Sequence, residues 1–266
     1  MEKPPIICPL SDAETRDLRL AKSLLESAPL GIRLANTLGS PLEKGFAMLP
    51  KGWNNMVNKA THAALFKALT VALATLGRKR QRPSREFFHK VLAGTSGGIG
   101  GAFGLAALPV ELPVSTTLIL RSIADIARSE GHDLSQMETR LACIEVFALG
   151  GTGSESTYWM TRAAMSQAMA DATAYLAQKG VIRESAPAIA RMVSAIAARF
   201  GVVVSEEVAA KAVPIIGAAG GSIVNVMFMS HFQELARGHF IVKRLEAARG
   251  MEQVRTAYNS LQGAKC

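Results

Sequence analysis

Cysteine, aromatic residues and strand-like alternation are all scarce in this chain. The three cysteines, Cys8, Cys143 and Cys266, stand far apart with no CxxC pair. That spacing excludes a disulfide framework and a clustered zinc site, and it fits a reducing compartment. Aromatics make up only 6% of the residues while hydrophobic residues reach 49%. Mean hydropathy is +0.20, too apolar for a disordered chain and too polar for a many-span transporter. Beyond Val202–Val204, nothing alternates as a half-buried strand does. The opening MEKPPIICPLSDAETRD puts prolines where a signal peptide needs an apolar stretch, so export by that route is not expected.

What is present is helical patterning and positive charge. The formal net charge is +9 in 266 residues, which favours an anionic lipid surface or another polyanion as partner. Residues 1–50, broken by six prolines, read as an irregular leader holding one short amphipathic helix over Ser11–Ser27. Residues 51–266 read as a single all-α domain. Its helices run from Asn54 to Gly77, from Pro113 to about Glu130, from a Ser135/Glu138 capping box to Gly150, from Ser156 to Gly180, and from Ser185 to Gly201. Ile119, Ile123 and Ile126 share one face of the second.

Two runs stand out. Val91–Val110 is twenty residues without a charge, six of them glycine, and Ala212–Ser230 is nineteen more. At about 1.5 Å per residue, either could cross a hydrocarbon core of about 30 Å. Gly97 with Gly101, Gly100 with Gly104, and Gly217 with Gly221 have GxxxG spacing, which lets helices approach closely, within a core or between copies of the chain. The expected architecture is a multi-helix bundle with two glycine-rich apolar helical segments or hairpins. Arg78, Lys79, Arg80, Arg82 and Arg85 lie just ahead of the first run, where a cytoplasmic membrane flank carries its positive charge. Pro109, Glu111 and Pro113 interrupt that run, which favours a peripheral or monotopic arrangement over a true span.

Chemical motifs are sparse. Gly94-Thr95-Ser96-Gly97-Gly98 fits G-x-S-x-G, but that motif needs a strand before its serine, and REFFHKVLAG reads as helix. Ser96 is therefore a weak nucleophile candidate. His231, Glu234, Arg237 and His239 crowd one helix without the i, i+4 histidine pair of a zinc site, so neither a metal nor any other cofactor is implied. Glu111 is the only charge between Lys90 and Arg121 and so a candidate site residue, with Arg121 and Asp125 as its partners or as each other's.

The blocks GGIGGAFGLAALPVELPVSTTLILRSIADIARSEG, RLACIEVFALGG and AVPIIGAAGGSIVNVMFMSHFQELARGHFIVKRLE resemble the EcsC family of bacterial proteins, over roughly Pro41–Gly250. The resemblance implies a helical protein associated with membranes and secretion, with an ABC transporter or secretion component as partner, and no settled activity. The loop after Phe147–Gly151 carries one acid, Glu155, where the family pattern implies more. Two readings follow. One is a cytoplasmic protein at the inner membrane, binding lipid or a membrane partner rather than nucleic acid. The other is a peptidase-like hydrolase built on Ser96 or on Glu111, His231, Glu234 and His239.

Overall fold

A computed structural model describes residues 10–39, 41–76, 107–150, 155–212 and 217–261. Among these residues the chain forms ten α-helices and no strand. They are α1 (Asp12–Leu25), α2 (Leu30–Leu38), α3 (Leu42–Met48), α4 (Trp53–Val71, widening into a π-turn over Ala72–Leu76), α5 (Leu108–Ser129), α6 (Met137–Leu149), α7 (Glu155–Lys179), α8 (Pro187–Ala212), α9 (Gly217–Arg249) and α10 (Met251–Ser260). The expectation of an all-α bundle is met.

The stops behave as their residues dictate. Ser11 caps α1 in a true capping box, its hydroxyl accepting the Glu14 N–H while the Glu14 carboxylate accepts the Ser11 N–H. Gly131 and Gly180 end α5 and α7 with positive φ, which a side chain would resist. Leu18, Ala21 and Leu25 make the buried stripe of α1, and Ile119, Ile123 and Ile126 do the same for α5.

Four local expectations need correction. Residues 10–50 hold three helices rather than one, because Pro29 and Pro41 stand at helix N-caps, where their missing N–H is no loss. Helix α5 begins at Leu108 rather than Pro113, so Glu111 lies in its first turn and not ahead of the helix. The first-turn N–H groups lack intrahelical partners anyway, which makes Pro109 harmless there. Ser135 does not cap α6. Its N–H and hydroxyl both turn back to Asp133, leaving Gln136 as a cap without a side-chain bond. Helix α8 passes through Gly201 and Val202–Val204 to Ala212, because Phe200, Val203, Val204 and Val208 form a continuous buried face.

The core sits where α6, α8 and α9 meet. Phe147, Phe200, Phe228 and Phe232 are fully buried there, with ring centroids 4.9 to 6.1 Å apart. Few as the aromatics are, they concentrate at this junction. Helix α9, 33 residues long, is the axis against which α1, α2, α5, α6, α8 and α10 pack.

Glycine serves close approach in this bundle. A methyl group on Gly238 of α9 would sit 2.7 Å from Leu25 Cγ and 3.0 Å from the Ala21 carbonyl oxygen of α1. On Gly201 it would meet nothing nearer than Asn58 Oδ1 at 3.9 Å. The same substitution should therefore have opposite signs at the two sites. Gly238→Ala should cost about 1–3 kcal/mol through overpacking. Gly201→Ala should add about 0.5–1 kcal/mol through helix propensity. Urea denaturation of the two variants checks both signs.

Candidate functional site

The polar residues singled out in the sequence fall into separate places. Arg78, Lys79, Arg80, Arg82 and Arg85, Ser96, and the GxxxG pairs of the first apolar run lie outside the described residues. Gly221 is buried in α9.

Glu111 is held by α8 and α9, not by Arg121 or Asp125. Its Oε1 accepts from Lys211 Nζ at 2.6 Å and from Asn225 Nδ2 at 3.4 Å, and Lys211 also reaches Glu207 at 2.8 Å. Arg121 is exposed, and Asp125 pairs with Arg128 at 2.9 Å. Burial pushes the Glu207 carboxyl up, and Lys211 opposes that push. Burial pulls the Lys211 ammonium down, but Glu207 and Glu111 outweigh it and hold the lysine charged. One ammonium thus bridges two carboxylates and offsets part of the cost of burying Glu207.

Along α9, the four candidates face different partners. His231 Nε2 bonds the Gly150 carbonyl oxygen at 2.7 Å, and burial pulls its pKa down to about 4, so the ring is neutral and donates. Glu234 takes the Arg33 guanidinium in a fork at 2.6 and 3.2 Å. Arg237 is half-buried farther along the helix. His239, fully buried, meets Tyr158 Oη at 3.2 Å through Nδ1 and lies 3.7 Å from Glu145 through Nε2. Burial, then the charges of Arg162 and Lys243, keep this imidazole well below its ordinary pKa. Glu111, His231, Glu234 and His239 therefore do not form one catalytic or ligand group. No cluster of three or more His, Cys, Asp or Glu suited to a metal ion occurs among the described residues.

His239 leads to a concave place where titratable groups of both signs converge. A cleft of about 890 Å³ opens between α6, α7, α9 and α10. Glu145, Trp159, Arg162 and Lys243 line it, while Met160, Met251, Arg255 and Asn259 stand exposed around it. Arg162 forks onto Glu246 at 2.7 and 2.9 Å and lies over the Tyr158 and Trp159 rings. Burial pushes the Glu145 carboxyl up, against the opposing charges of Lys243 and Arg162. Glu145 has no hydrogen bond and Lys243 no ion pair among the described residues. The indole N–H of Trp159 is likewise buried without an acceptor.

Glu145, Arg162 and Lys243 were not singled out from the sequence. Glu145 could have been: it is the only charge in the nine residues Leu141–Leu149, the same signal that flagged Glu111. Arg162 and Lys243 sit in ordinary amphipathic helices and carry no such mark.

One helix among the described residues, Pro187–Ala212, is long and apolar enough to cross a membrane, and half of its apolar window is buried inside the bundle. It is neither of the two runs that the glycine pattern had marked. A family model described as the EcsC protein family matches residues 30–245. No curated protein and no solved structure matches the chain.

The Glu111–Lys211–Glu207 cluster generates a stability prediction. Lys211→Met should cost about 3 kcal/mol, because it strands the buried Glu207 carboxylate without its counter-charge. Burial already raises the Glu207 carboxyl, and loss of Lys211 removes what opposes that rise. The deficit should be full at neutral pH and shrink as the pH falls toward about 4, where Glu207 becomes neutral. Thermal melts across that range test the sign.

Proposed function

The chain belongs to the EcsC protein family, and from that premise we propose that it works at an anionic membrane surface. The observation that carries this reading is charge. An excess of nine positive charges includes five in the eight residues Arg78–Arg85, directly before a twenty-residue stretch with none. Each basic residue near an anionic bilayer contributes about 1 kcal/mol, so five supply a useful share of the binding free energy. The folded bundle attaches peripherally or monotopically from the cytoplasmic side. Helix α8 stays in the core, since inserting it would strip Glu207 and Lys211 of Glu111 and leave charge in hydrocarbon.

The hydrolase alternative draws less support. It needs converging groups, and Glu111, His231, Glu234 and His239 each face a separate partner.

Co-sedimentation with phosphatidylglycerol vesicles tests the proposal. The wild-type chain should pellet with them, and should stay in the supernatant with neutral vesicles. Changing Arg78, Lys79, Arg80, Arg82 and Arg85 together to Gln should weaken binding by at least tenfold. Salt should weaken the wild type too, as the Debye length contracts from about 10 Å at 0.1 M to about 3 Å at 1 M. Equal pelleting with neutral vesicles would refute the electrostatic reading.

A further inference from the structure

We propose that the cleft between α6, α7, α9 and α10 is a binding site for an anionic amphiphile, its head against Lys243, Arg255 and the Trp159 N–H and its chain over the methionines. The inference rests on the membrane-surface reading above and adds a specific site to it. Three observations carry it. The cleft, about 890 Å³, is within the range of small-molecule sites, about 300–1,000 Å³. Its polar wall is left incomplete by the protein: the Trp159 N–H is buried without an acceptor, and Glu145, only 7% exposed, has no hydrogen bond among the described residues. Other buried atoms of the bundle, such as His231 Nδ1, also lack a partner, but here two such groups border a cleft of ligand size that something else can complete. Its apolar wall is methionine, with Met160 67% and Met251 57% exposed and Met169 beside them. Methionine is the residue that adapts to a flexible chain.

The sign of the ligand's charge follows from the lining. Arg162 is neutralised by Glu246, whereas Lys243 holds no ion pair among the described residues. Arg255 adds a second cation to the lining. The indole can only donate. Glu145 is the single carboxyl in the lining. Protonated, it donates as well; ionised, it repels an anion. The groups facing it are Tyr158 and Arg162 from α7, and His239, Lys243 and Glu246 from α9. Burial favours its protonated form, so anion binding should weaken as the pH rises and Glu145 ionises.

Titration with decanesulfonate tests this, because that probe keeps one charge at every pH used and stays below its micelle concentration. Methanesulfonate supplies the head alone and decanol the chain alone. In a Trp53→Phe background, emission reports Trp159. Decanesulfonate should shift that emission saturably and bind at least tenfold tighter than either half-probe. A Lys243→Gln/Arg255→Gln chain should lose at least tenfold in affinity, and Glu145→Gln should bind with the pH dependence removed. Methanesulfonate binding as tightly as decanesulfonate would mean a simple anion site, and equal binding by the double variant would mean non-specific adsorption. Either result overturns the proposal. Decanesulfonate binding by a chain that ignores anionic vesicles would support the cleft and refute the membrane reading. Vesicle binding without any saturable probe binding would do the reverse.

Discussion

Burying polar groups along one long helix is the constraint on which the rest of this bundle depends. Helix α9 carries His231, Gln233, Glu234, His239, Arg244, Glu246 and Arg249 among its apolar residues, and each must be satisfied away from water or at its edge. Their partners are spread over five elements: the α6 terminus at Gly150, Ser122 of α5, Arg33 of α2, Tyr158 and Arg162 of α7, and Asp17 and Glu14 of α1. Apolar contact alone would let those helices slide along α9. A polar partner at a fixed height assigns each one a register. Such pairs add little net stability over a well-packed apolar contact, but removing one partner leaves a stranded group, so wrong arrangements are penalised.

The same logic separates structural polarity from functional polarity. In the Glu111–Lys211–Glu207 cluster each carboxyl reaches the one shared ammonium, and the cluster joins α5 to α8. His231 is held at Nε2 by a carbonyl, while its buried Nδ1 has no hydrogen bond among the described residues. At the α7–α10 cleft the accounts do not close, with Glu145 and the Trp159 N–H lacking hydrogen bonds among the described residues. On the proposed reading, the +9 net charge would draw the chain to an anionic bilayer, and the cleft would make that contact specific.

The sequence made the helical class legible because its signals were local. Glycines at 131 and 180 stop helices by backbone conformation, and Ile119, Ile123 and Ile126 mark a face by period. The errors came where a distant contact decides or where a nearer side chain competes. Gly201 looks like a stop until the buried face of Phe200, Val203, Val204 and Val208 carries α8 past it. Ser135 and Glu138 have capping-box spacing, and Asp133 captures the serine first. The site was less legible still. Glu111 was visible as a lone charge, but its partners Lys211 and Asn225 lie a hundred residues and more along the chain. Glu145 had the same signal, a single acid amid Leu141–Leu149, hidden because it reads equally as an ordinary helix residue.

The central claim is that this bundle stays folded at the membrane surface and engages it without surrendering its core. Hydrogen–deuterium exchange of the full chain, with and without anionic vesicles, tests that most directly. The account predicts unchanged slow exchange in α8 and α9 and added protection in α7 and α10 around the cleft. Faster exchange across α9 together with new vesicle-dependent protection of α8 would contradict it, because the bundle would then be opening to insert Pro187–Ala212.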